Sequence, residues 1–421
     1  DSMRPISPLA LAAAIALPFA AGAVTPAEVL TTYADIAQAG YADSLSTAQT
    51  LHAAIESFLA APSAEGLAAA RAAWIAARVP YQQTEAYRFG NAIVDDWEGR
   101  VNAWPLDEGL IDYVERGYVG GDENPLAQLN VIANPRFTLS GDTIDASVID
   151  AALLQDALQE AEAVEANVAT GYHAVEFLLW GQDLNGTDAG AGDRPWTDYA
   201  TGDACTHGNC DRRGAYLSTA SALLIADLEE MAAHWAPGGE ARETLLADES
   251  AGLSAILTGM GSLSYGELAG ERIRLGLMLN DPEEEHDCFS DNTHNSHFYD
   301  GLGIRNVYTG HYTRVDGSAV SGASLSALVA ATDPVLDQAM RASLDASVTA
   351  LQTLVNTAEG GMRYDMMLAP GNAEGEAVIM GAVNALVAQT RDIERVIAAL
   401  DLDGIAIEGS DSLDNPDAVF Q

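Results

Sequence analysis

The first candidates for a chemical function are a histidine and a glutamate that could bind a metal ion. They lie three positions apart in the segment Gly171-Tyr172-His173-Ala174-Val175-Glu176. Positions i and i+3 share one face of a helix, so His173 and Glu176 can converge on one cation. A pair with this spacing is more often a hydrogen-bonded surface pair than a binding site. Here the apolar run Phe177-Leu178-Leu179-Trp180 follows, which predicts a packed helix whose polar groups need partners.

A second candidate is the segment 283–297, which carries three histidines and several carboxylates. These side chains supply the nitrogen and oxygen atoms that transition metals bind. Polar loops and helix caps often have similar compositions. The segment contains more histidine than an ordinary acidic loop, so we interpret it as a source of metal ligands, with Asp291 and His294 as its candidates.

The third candidate is a stripe of residues spaced alternately three and four apart, which places them on one helix face: Arg71, Trp74, Arg78, Tyr81, Glu85 and Arg88. One interpretation is a solvated face whose ion pairs each contribute little. The other is an inward polar seam that orients Glu85 as a metal ligand. The sequence favours neither interpretation.

Helices must position these residues. Alanine-rich stretches and an aromatic content of only 7% favour helix over strand. Thr25-Pro26-Ala27-Glu28 is typical of a capping box that begins a helix. No convincing strands are found, so the predicted fold is all-α. Helical periodicity predicts helices over 27–59, 64–89, 148–180, 213–234, 240–257, 266–279, 325–358 and 375–400.

The sequence also contains an internal similarity. The motif Glu85–Gly90 returns as Glu271–Gly276, with Glu, Arg and Gly all offset by 186 residues. Each copy leads into an irregular polar segment, at 101–112 and at 286–308. We therefore predict two similar helical-bundle halves from an internal duplication, over residues 24–204 and 211–405, followed by an acidic tail over 406–421.

The charge balance excludes one class of partner. Sixty-two acidic residues face nineteen basic ones, all of them arginine, for a net charge of −43. Such a surface repels nucleic acid and attracts cations. An acidic coat that stays solvated in a salty medium explains the same composition. In either case we expect no nucleic-acid partner.

Residues 1–23 are typical of a secretory signal peptide. Arg4 precedes an apolar run over 9–19, and Ala21-Gly22-Ala23 supplies the small residues of a cleavage site. The run is too short for a membrane span, and no cysteine follows it to carry a lipid. We therefore expect a periplasmic protein with no transmembrane segment once the signal is removed.

Two of the three cysteines, Cys205 and Cys210, lie five residues apart in a polar loop. In an oxidising compartment this spacing predicts a small disulfide loop. The alternative is a thiolate metal site with His207, although two cysteines and one histidine fall short of a closed tetrahedral set. Cys288 is left unpaired.

In combination, these segments resemble the imelysin family. Gly171–Glu176 is similar to the family's Gly-x-His-x-x-Glu motif, and residues 192–195 and 205–216 also fit. Residues 101–108 and 288–294 resemble the iron-regulated protein A branch. The resemblance covers nearly the whole mature chain. It implies two similar helical bundles with a site near their junction, in proteins that are exported, associated with iron uptake and classed as metallopeptidases.

The resemblance and the residues together suggest an exported protein that binds a metal ion or an iron-containing ligand and serves envelope iron-uptake components. Iron is the favoured metal and zinc is possible. The expected ligands are His173, Glu176 and Glu85, with Asp107 or with Asp291 and His294 at the junction. The function would then be capture or transfer of iron.

Two alternatives stay open. In a metallopeptidase, His173 and Glu176 would hold zinc and another glutamate, such as Glu85, would activate water. The sequence contains neither His-Glu-x-x-His nor His-x-x-Glu-His, and a catalytic zinc needs three protein ligands. The other alternative is a helical scaffold whose polar seam binds a partner and no metal.

Overall fold

The computed structural model describes residues 23–120 and 124–420, so the predicted signal peptide lies outside the described residues except for Ala23. The fold is all-α, as predicted. The α-helices are α1 Pro26–Ala60, α2 Ala64–Thr84, α3 Ala92–Glu98, α4 Glu108–Ile111, α5 Gly171–Trp180, α6 Cys210–Trp235, α7 Glu240–Leu246, α8 Glu249–Ser262, α9 Leu275–Leu279, α10 Thr293–Thr309, α11 Leu325–Thr332, α12 Pro334–Glu359, α13 Tyr364–Leu368, α14 Ala373–Ala399 and α15 Asp411–Asp414.

Tighter and wider helical turns connect these helices. Residues Leu153–Leu158 and Leu263–Arg274 form π-helices, and the second of them joins α8 to α9. The 3-10 turns are Glu85–Tyr87, Ala161–Ala163, Trp196–Tyr199, Gly202–Ala204, Pro282–Glu284 and Pro416–Phe420. Two antiparallel hairpins that were not predicted complete the described elements: β1 Arg136–Leu139 with β2 Asp142–Asp145, and β3 His311–Thr313 with β4 Ala319–Ser321.

The predicted capping box begins α1. The Thr25 hydroxyl accepts the Glu28 N–H over 3.3 Å, and the Glu28 carboxylate accepts the Thr25 N–H over 2.9 Å. From this start α1 packs along α2 and α6, while α12 packs along α14. Helix α10 lies between these two sets, in contact with both α2 and α12. It therefore connects the set formed by α1, α2 and α6 to the pair formed by α12 and α14, and because α6 packs on α1, these two sets do not coincide with the predicted halves.

Apolar residues from both predicted halves join one hydrophobic core. Tyr33, for example, makes edge contacts with Tyr87 at 4.9 Å and with Trp235 at 5.9 Å between ring centres. Edge-to-face packing of this kind adds to the burial of the rings. The two motif copies differ in environment, since Glu85 is buried and Glu271 is partly exposed. The internal duplication therefore stays a prediction.

The helix predicted over 148–180 is wrong in its middle. Between the π-helix and α5 the chain turns through Glu160 and Glu162, whose φ angles are +53° and +59°. The Gln159 side-chain oxygen accepts the N–H groups of Ala169 and Thr170 over 2.8 and 3.2 Å. A side chain thus satisfies backbone donors that a continuous helix would have paired internally.

The segment 286–308, predicted to be irregular, is helical from Thr293 onwards. Its helix α10 buries polar side chains such as Ser296, His297 and Asp300. A packed helix is usually recognised in a sequence by an apolar stripe. The buried face of α10 carries polar side chains instead, so the sequence pattern did not predict this helix. No helix in the ranges that the structure describes combines the length and the apolarity needed to cross a membrane.

Candidate metal centre

His173 and Glu176 lie on α5, a helix in which every residue is buried. The helix begins at Gly171, whose φ is +83°, and a Cβ there would lie 2.4 Å from the Val101 carbonyl oxygen. The N–H of Tyr172 donates to that same oxygen over 2.7 Å. Only glycine tolerates both the backbone angle and the close approach, so it fixes the start of α5 and the position of His173.

The His173 side chain has one ring nitrogen engaged and one available. Its Nδ1 lies 2.9 Å from Oε2 of Glu176, whereas its Nε2 has no hydrogen-bond partner among the described residues. Burial, together with the nearby Arg78 guanidinium, lowers the pKa of His173 to about 3. The imidazole is therefore neutral near pH 7, which is the form that binds metal ions.

Glu176 is held behind His173 by Ser290. Its Oε1 accepts the Ser290 N–H over 2.9 Å and the Ser290 hydroxyl over 2.6 Å. Burial, with a contribution from the Asp287 carboxylate, raises the pKa of Glu176 well above its ordinary value. A cation on Nε2 of His173 would favour a proton on Nδ1, and Glu176 would then accept that hydrogen bond and orient the ring.

Asp287 enters the site from the loop that precedes α10. Its N–H donates to the Thr293 hydroxyl over 3.1 Å, and its Oδ2 accepts the Asn292 side-chain amide over 2.9 Å. The Ser296 hydroxyl also donates to Oδ2. These contacts with the first turns of α10 fix the carboxylate and, beside it, His286.

His173, His286 and Asp287 form the one group of at least three convergent metal-ligating side chains within the described ranges, with ligand atoms all within 4.8 Å of one another. All three residues are at most 2% exposed. The two imidazole rings lie 4.8 Å apart between centres, at 73° to each other. Two imidazole nitrogens and one carboxylate oxygen suit ferrous iron or zinc and leave coordination positions open. The residues fit a metal ion, and His173 Nε2 is the atom that the ion would satisfy.

Arg78 controls the charge of this group. It contacts Oδ1 of Asp287 over 2.8 Å and donates to the Asn102 side-chain oxygen over 2.7 Å. Although burial acts in the opposite direction, the guanidinium lowers the pKa of Asp287 below its ordinary value. Asp287 is therefore a carboxylate, shared between Arg78 and any cation that binds.

The stripe on α2 is the inward polar seam and not a solvated face. Trp74, Arg78, Tyr81 and Glu85 are all buried. The guanidinium carbon of Arg78 lies 4.9 Å from the ring centre of Tyr172 and 5.4 Å from that of Trp74. Aromatic faces of this kind attract and hold a buried cation.

Glu85, a predicted ligand, lies in a second buried network. Its carboxylate contacts Arg272 over 2.6 Å, and the same guanidinium contacts Asp300 over 3.1 Å and Glu267 over 2.8 Å. All three carboxylates thus surround one arginine. The structure therefore places Glu85 outside the group formed by His173, His286 and Asp287.

His297 lies between the two networks. Positions 296, 297 and 300 share one face of α10, where Ser296 contacts Asp287 and Asp300 contacts Arg272. The imidazole is fully buried, and neither of its nitrogens has a hydrogen-bond partner in the part of the chain that the structure describes. A buried imidazole without hydrogen-bond partners costs free energy, so His297 is a polar residue that the packing of α10 holds between the two networks.

The other predicted ligands also lie outside the group. Asp107 is at the start of α4, where the Tyr118 hydroxyl donates to it over 2.9 Å. Asp291 lies 3.5 Å from Arg363, and both line a surface cavity together with His294. Of the six predicted ligands, His173 alone is a member of the convergent group.

Sequence reasoning selected the segment 283–297 but did not choose His286 and Asp287 within it. The adjacent pair lies in a loop, where no helical or strand periodicity indicates which side chains converge. The signal that could have identified Asp287 is the run of Ser, Asn and Thr around it, which supplies the donors for one buried carboxylate.

The disulfide between Cys205 and Cys210 is confirmed, with the two Cα atoms 6.0 Å apart. His207, within this loop, lies 2.7 Å from the Asp198 carboxylate and stacks on Tyr113. The cysteines therefore do not form a thiolate metal site with His207. Cys288 is a free thiol of intermediate exposure next to Asp287.

Ser290 is not arranged as a nucleophile of the serine-hydrolase kind. Its hydroxyl donates to Glu176, and Glu176 in turn contacts His173. A serine nucleophile needs the imidazole itself as its hydrogen-bond partner. Here a carboxylate separates the two groups, so the arrangement supports ligand positioning.

Solved structures show the same fold in related proteins. A candidate iron-regulated protein A precursor from Parabacteroides distasonis superposes with a TM-score of 0.63 at 20% identity, covering 91% of this chain and 98% of that one. An imelysin-like protein from Psychrobacter arcticum gives 0.57 at 18% identity, covering 90% and 98%. At these identities the likeness shows a shared fold.

Sequence comparisons give the family. Iron-regulated protein A of Synechococcus elongatus is 41% identical over 64 residues, which is 15% of this chain and 18% of that protein. The match therefore spans less than a fifth of that relative. The imelysin family model matches residues 37–393, most of the chain. On this match, the protein belongs to the imelysin family.

Proposed function

We propose that this imelysin-family protein is an exported metal-binding protein that captures or hands over iron in the cell envelope. The observation that carries the proposal is the convergence of His173, His286 and Asp287, whose ligand atoms lie within 4.8 Å of one another. The unpartnered Nε2 of buried His173 supports it, because an unpaired buried nitrogen costs free energy that a bound ion would offset.

The choice of iron rests on donor chemistry and on the relatives. Two imidazoles and one carboxylate bind ferrous iron well, and zinc is the alternative ion for the same donors. Relatives in Synechococcus elongatus and Parabacteroides distasonis carry the name iron-regulated protein A. The net charge of −43 also raises the local concentration of cations around the protein. Envelope iron-uptake components are the partners that this function would serve.

Burial favours ion binding over peptide hydrolysis. A metallopeptidase must bring an extended peptide to an open metal position beside a general base. His173, His286 and Asp287 are at most 2% exposed, and Glu176 is engaged by both His173 and Ser290. A small cation can reach such a site with far less rearrangement than a polypeptide can.

Elemental mass spectrometry of the purified mature protein tests the proposal. We expect about one metal ion per chain in the wild type and almost none in His173→Ala, His286→Ala or Asp287→Ala. The matched control is His311→Ala, which removes an exposed histidine far along the chain. A wild-type protein that stays free of metal after loading with ferrous, ferric and zinc ions would contradict the proposal. Peptide cleavage by zinc-loaded wild type, absent from His173→Ala, would favour the peptidase alternative.

A further inference from the structure

A surface cavity of about 520 Å³ is lined by residues that contact the buried site. Its walls come from the loop at 189–191, from the C-terminal end of α12 and from the residues that begin α10. Ser290 and Asn292 belong to its lining. The same two residues hydrogen-bond Glu176 and Asp287, over 2.6 and 2.9 Å. One layer of side chains therefore separates the cavity from the buried carboxylates.

Two further lining residues carry polar atoms without partners. Asp291 is 8% exposed and His294 is 2% exposed. In the described ranges, Oδ1 of Asp291 and Nδ1 of His294 have no hydrogen-bond partner. Buried polar atoms are nearly always paired, so these two atoms, which line a cavity open to solvent, are free to bind water or an ion there. A carboxylate oxygen and an imidazole nitrogen together are donors for a divalent transition-metal ion.

The charges around the cavity suit temporary binding. Asp291 and Glu359 contribute two carboxylates to the lining, and Arg363 contributes one guanidinium. Arg363 lies 3.5 Å from Asp291 and is 42% exposed at its side chain, so it can withdraw into solvent when a cation arrives. Competition between Arg363 and the ion for Asp291 keeps such a site weaker than the buried one.

We propose that this cavity is the loading site of the metal centre. Asp291 and His294 take a partly hydrated divalent cation from solvent, and the ion then passes between Ser290 and Asn292 to His173, His286 and Asp287. The inference rests on the proposed function, because it gives the buried centre a route to solvent. The ion keeps its charge throughout, and water molecules are exchanged for protein ligands.

The test is the rate of metal uptake and release in Asp291→Asn/His294→Gln, with Co²⁺ as the probe and its visible absorption as the signal. Asp291 has a φ of +57°, which asparagine tolerates well, so this double variant should fold. We expect loading and chelator-driven release to slow by the same factor, about tenfold, which corresponds to a barrier higher by about 1.4 kcal/mol in both directions. The dissociation constant and the stoichiometry should not change. Residues that contact the ion only while it enters or leaves alter the activation barrier, but they do not alter the free energies of the free and the bound protein.

The matched control is Asp142→Asn/His311→Gln, which removes the same two groups from exposed hairpin positions. It separates the loss of local ligands from the loss of general electrostatic attraction. A second variant, Arg363→Gln, removes the competitor for Asp291 and should speed loading.

The outcomes are distinct. Slower loading and release at constant affinity, with faster loading in Arg363→Gln, support the loading site. Unchanged rates at one ion per chain overturn the loading site and leave the metal centre intact. A weaker dissociation constant overturns it too, since Asp291 and His294 would then be ligands of the final site. If the wild type binds no Co²⁺, the proposed function fails and the loading site fails with it.

Discussion

Two buried ion networks in this protein are each built around one arginine, but they differ in whether an unpaired side-chain nitrogen remains that could bind a cation. Each surrounds one arginine, Arg78 in the first and Arg272 in the second, and both arginines are at most 2% exposed. Arg272 contacts three carboxylates through its three guanidinium nitrogens. Arg78 contacts one carboxylate, that of Asp287, and donates from another guanidinium nitrogen to the side-chain oxygen of Asn102.

The difference lies in the imidazoles. Beside Arg78, two histidine rings converge with Asp287, and one ring nitrogen has no partner among the residues described. Around Arg272 the convergent groups are carboxylates that the arginine already engages. An ion network whose groups are all paired holds chain segments together, whereas a network that leaves a neutral imidazole nitrogen unpaired can accept a cation. The network around Arg272 is therefore structural, and the network around Arg78 is the one proposed to bind a metal ion.

The largest effect should come from breaking the structural network. Arg272→Met keeps much of the side-chain volume but leaves buried carboxylates without their cation. We expect a loss of about 3–5 kcal/mol in the free energy of unfolding, measured by urea denaturation. Arg395→Met is the control, because Arg395 pairs with Asp392 while 57% exposed, and should change stability by under about 0.5 kcal/mol. Equal effects of the two changes would contradict the role assigned to Arg272.

Glu176→Gln should weaken metal binding at the other network. The amide cannot stabilise a proton on His173 Nδ1 as the carboxylate does, so we expect an affinity lower by about 10–100-fold. Isothermal titration with Co²⁺ or Zn²⁺ measures it. Glu85→Gln is the informative comparison, since Glu85 belongs to the Arg272 network, and its affinity should match the wild type. A similar loss in both variants would mean that the two networks act as one site.

His297 links the networks and should govern part of the acid sensitivity. Burial, with a contribution from Arg272, lowers its pKa to about 3 from an ordinary value of 6.5. In the unfolded chain His297 is protonated below pH 6.5, whereas in the folded chain it stays neutral down to about pH 3. Protons therefore bind the unfolded state preferentially in this window, and the free energy of unfolding falls as the pH drops through it. At pH 5 this one residue costs about 2 kcal/mol.

His297→Gln should remove that cost. Its unfolding free energy should fall less between pH 7 and pH 5 than the wild type's, by about 2 kcal/mol, in urea titrations at both values. His311→Gln, at an exposed position, should follow the wild-type profile. Parallel profiles for His297→Gln and the wild type would show that the imidazole reaches solvent.

The smallest effect is expected at Asp300. Burial raises the pKa of this carboxyl well above its ordinary value, with Arg272 acting in the opposite direction. The amide of asparagine keeps a side-chain oxygen for the Arg272 guanidinium, so Asp300→Asn should change stability by under about 1 kcal/mol and leave metal content unchanged. Asp287→Asn, made beside it, should lose the metal. Loss of metal in Asp300→Asn would move the centre towards the second network.

Helices with an apolar stripe were predictable from the sequence. The prediction over 27–59 matches α1, and that over 375–400 matches α14 to within two residues at either end. α10 was missed because its buried face is polar, and the break before α5 was missed because Gln159 replaces backbone partners there. Periodicity reports apolar burial, so it does not detect helices or breaks that depend on polar contacts.

The candidate site was predictable in part. The His-x-x-Glu spacing on an apolar helix identified His173 and its partner Glu176. Asp287 and His286 depend on a loop that Glu176 itself anchors through Ser290, a contact between residues 114 positions apart. The helical spacing predicted correctly that Glu85 faces inward, but it did not indicate the partner of this carboxylate. That partner is Arg272, which lies 187 positions away in the sequence. Pairings over such distances are decided by the packing of helices.

Cys288 offers a natural attachment point for a fluorescent label beside the candidate metal centre. The chain has three cysteines, and two are joined in the disulfide, so this residue is its single thiol. It follows Asp287 directly and is partly accessible, while burial raises its pKa well above the ordinary value. A maleimide dye would therefore attach slowly and at one position, next to the proposed metal ligand Asp287. Fluorescence quenching by Co²⁺ could then record occupancy of the centre in a single molecule, with no engineered cysteine.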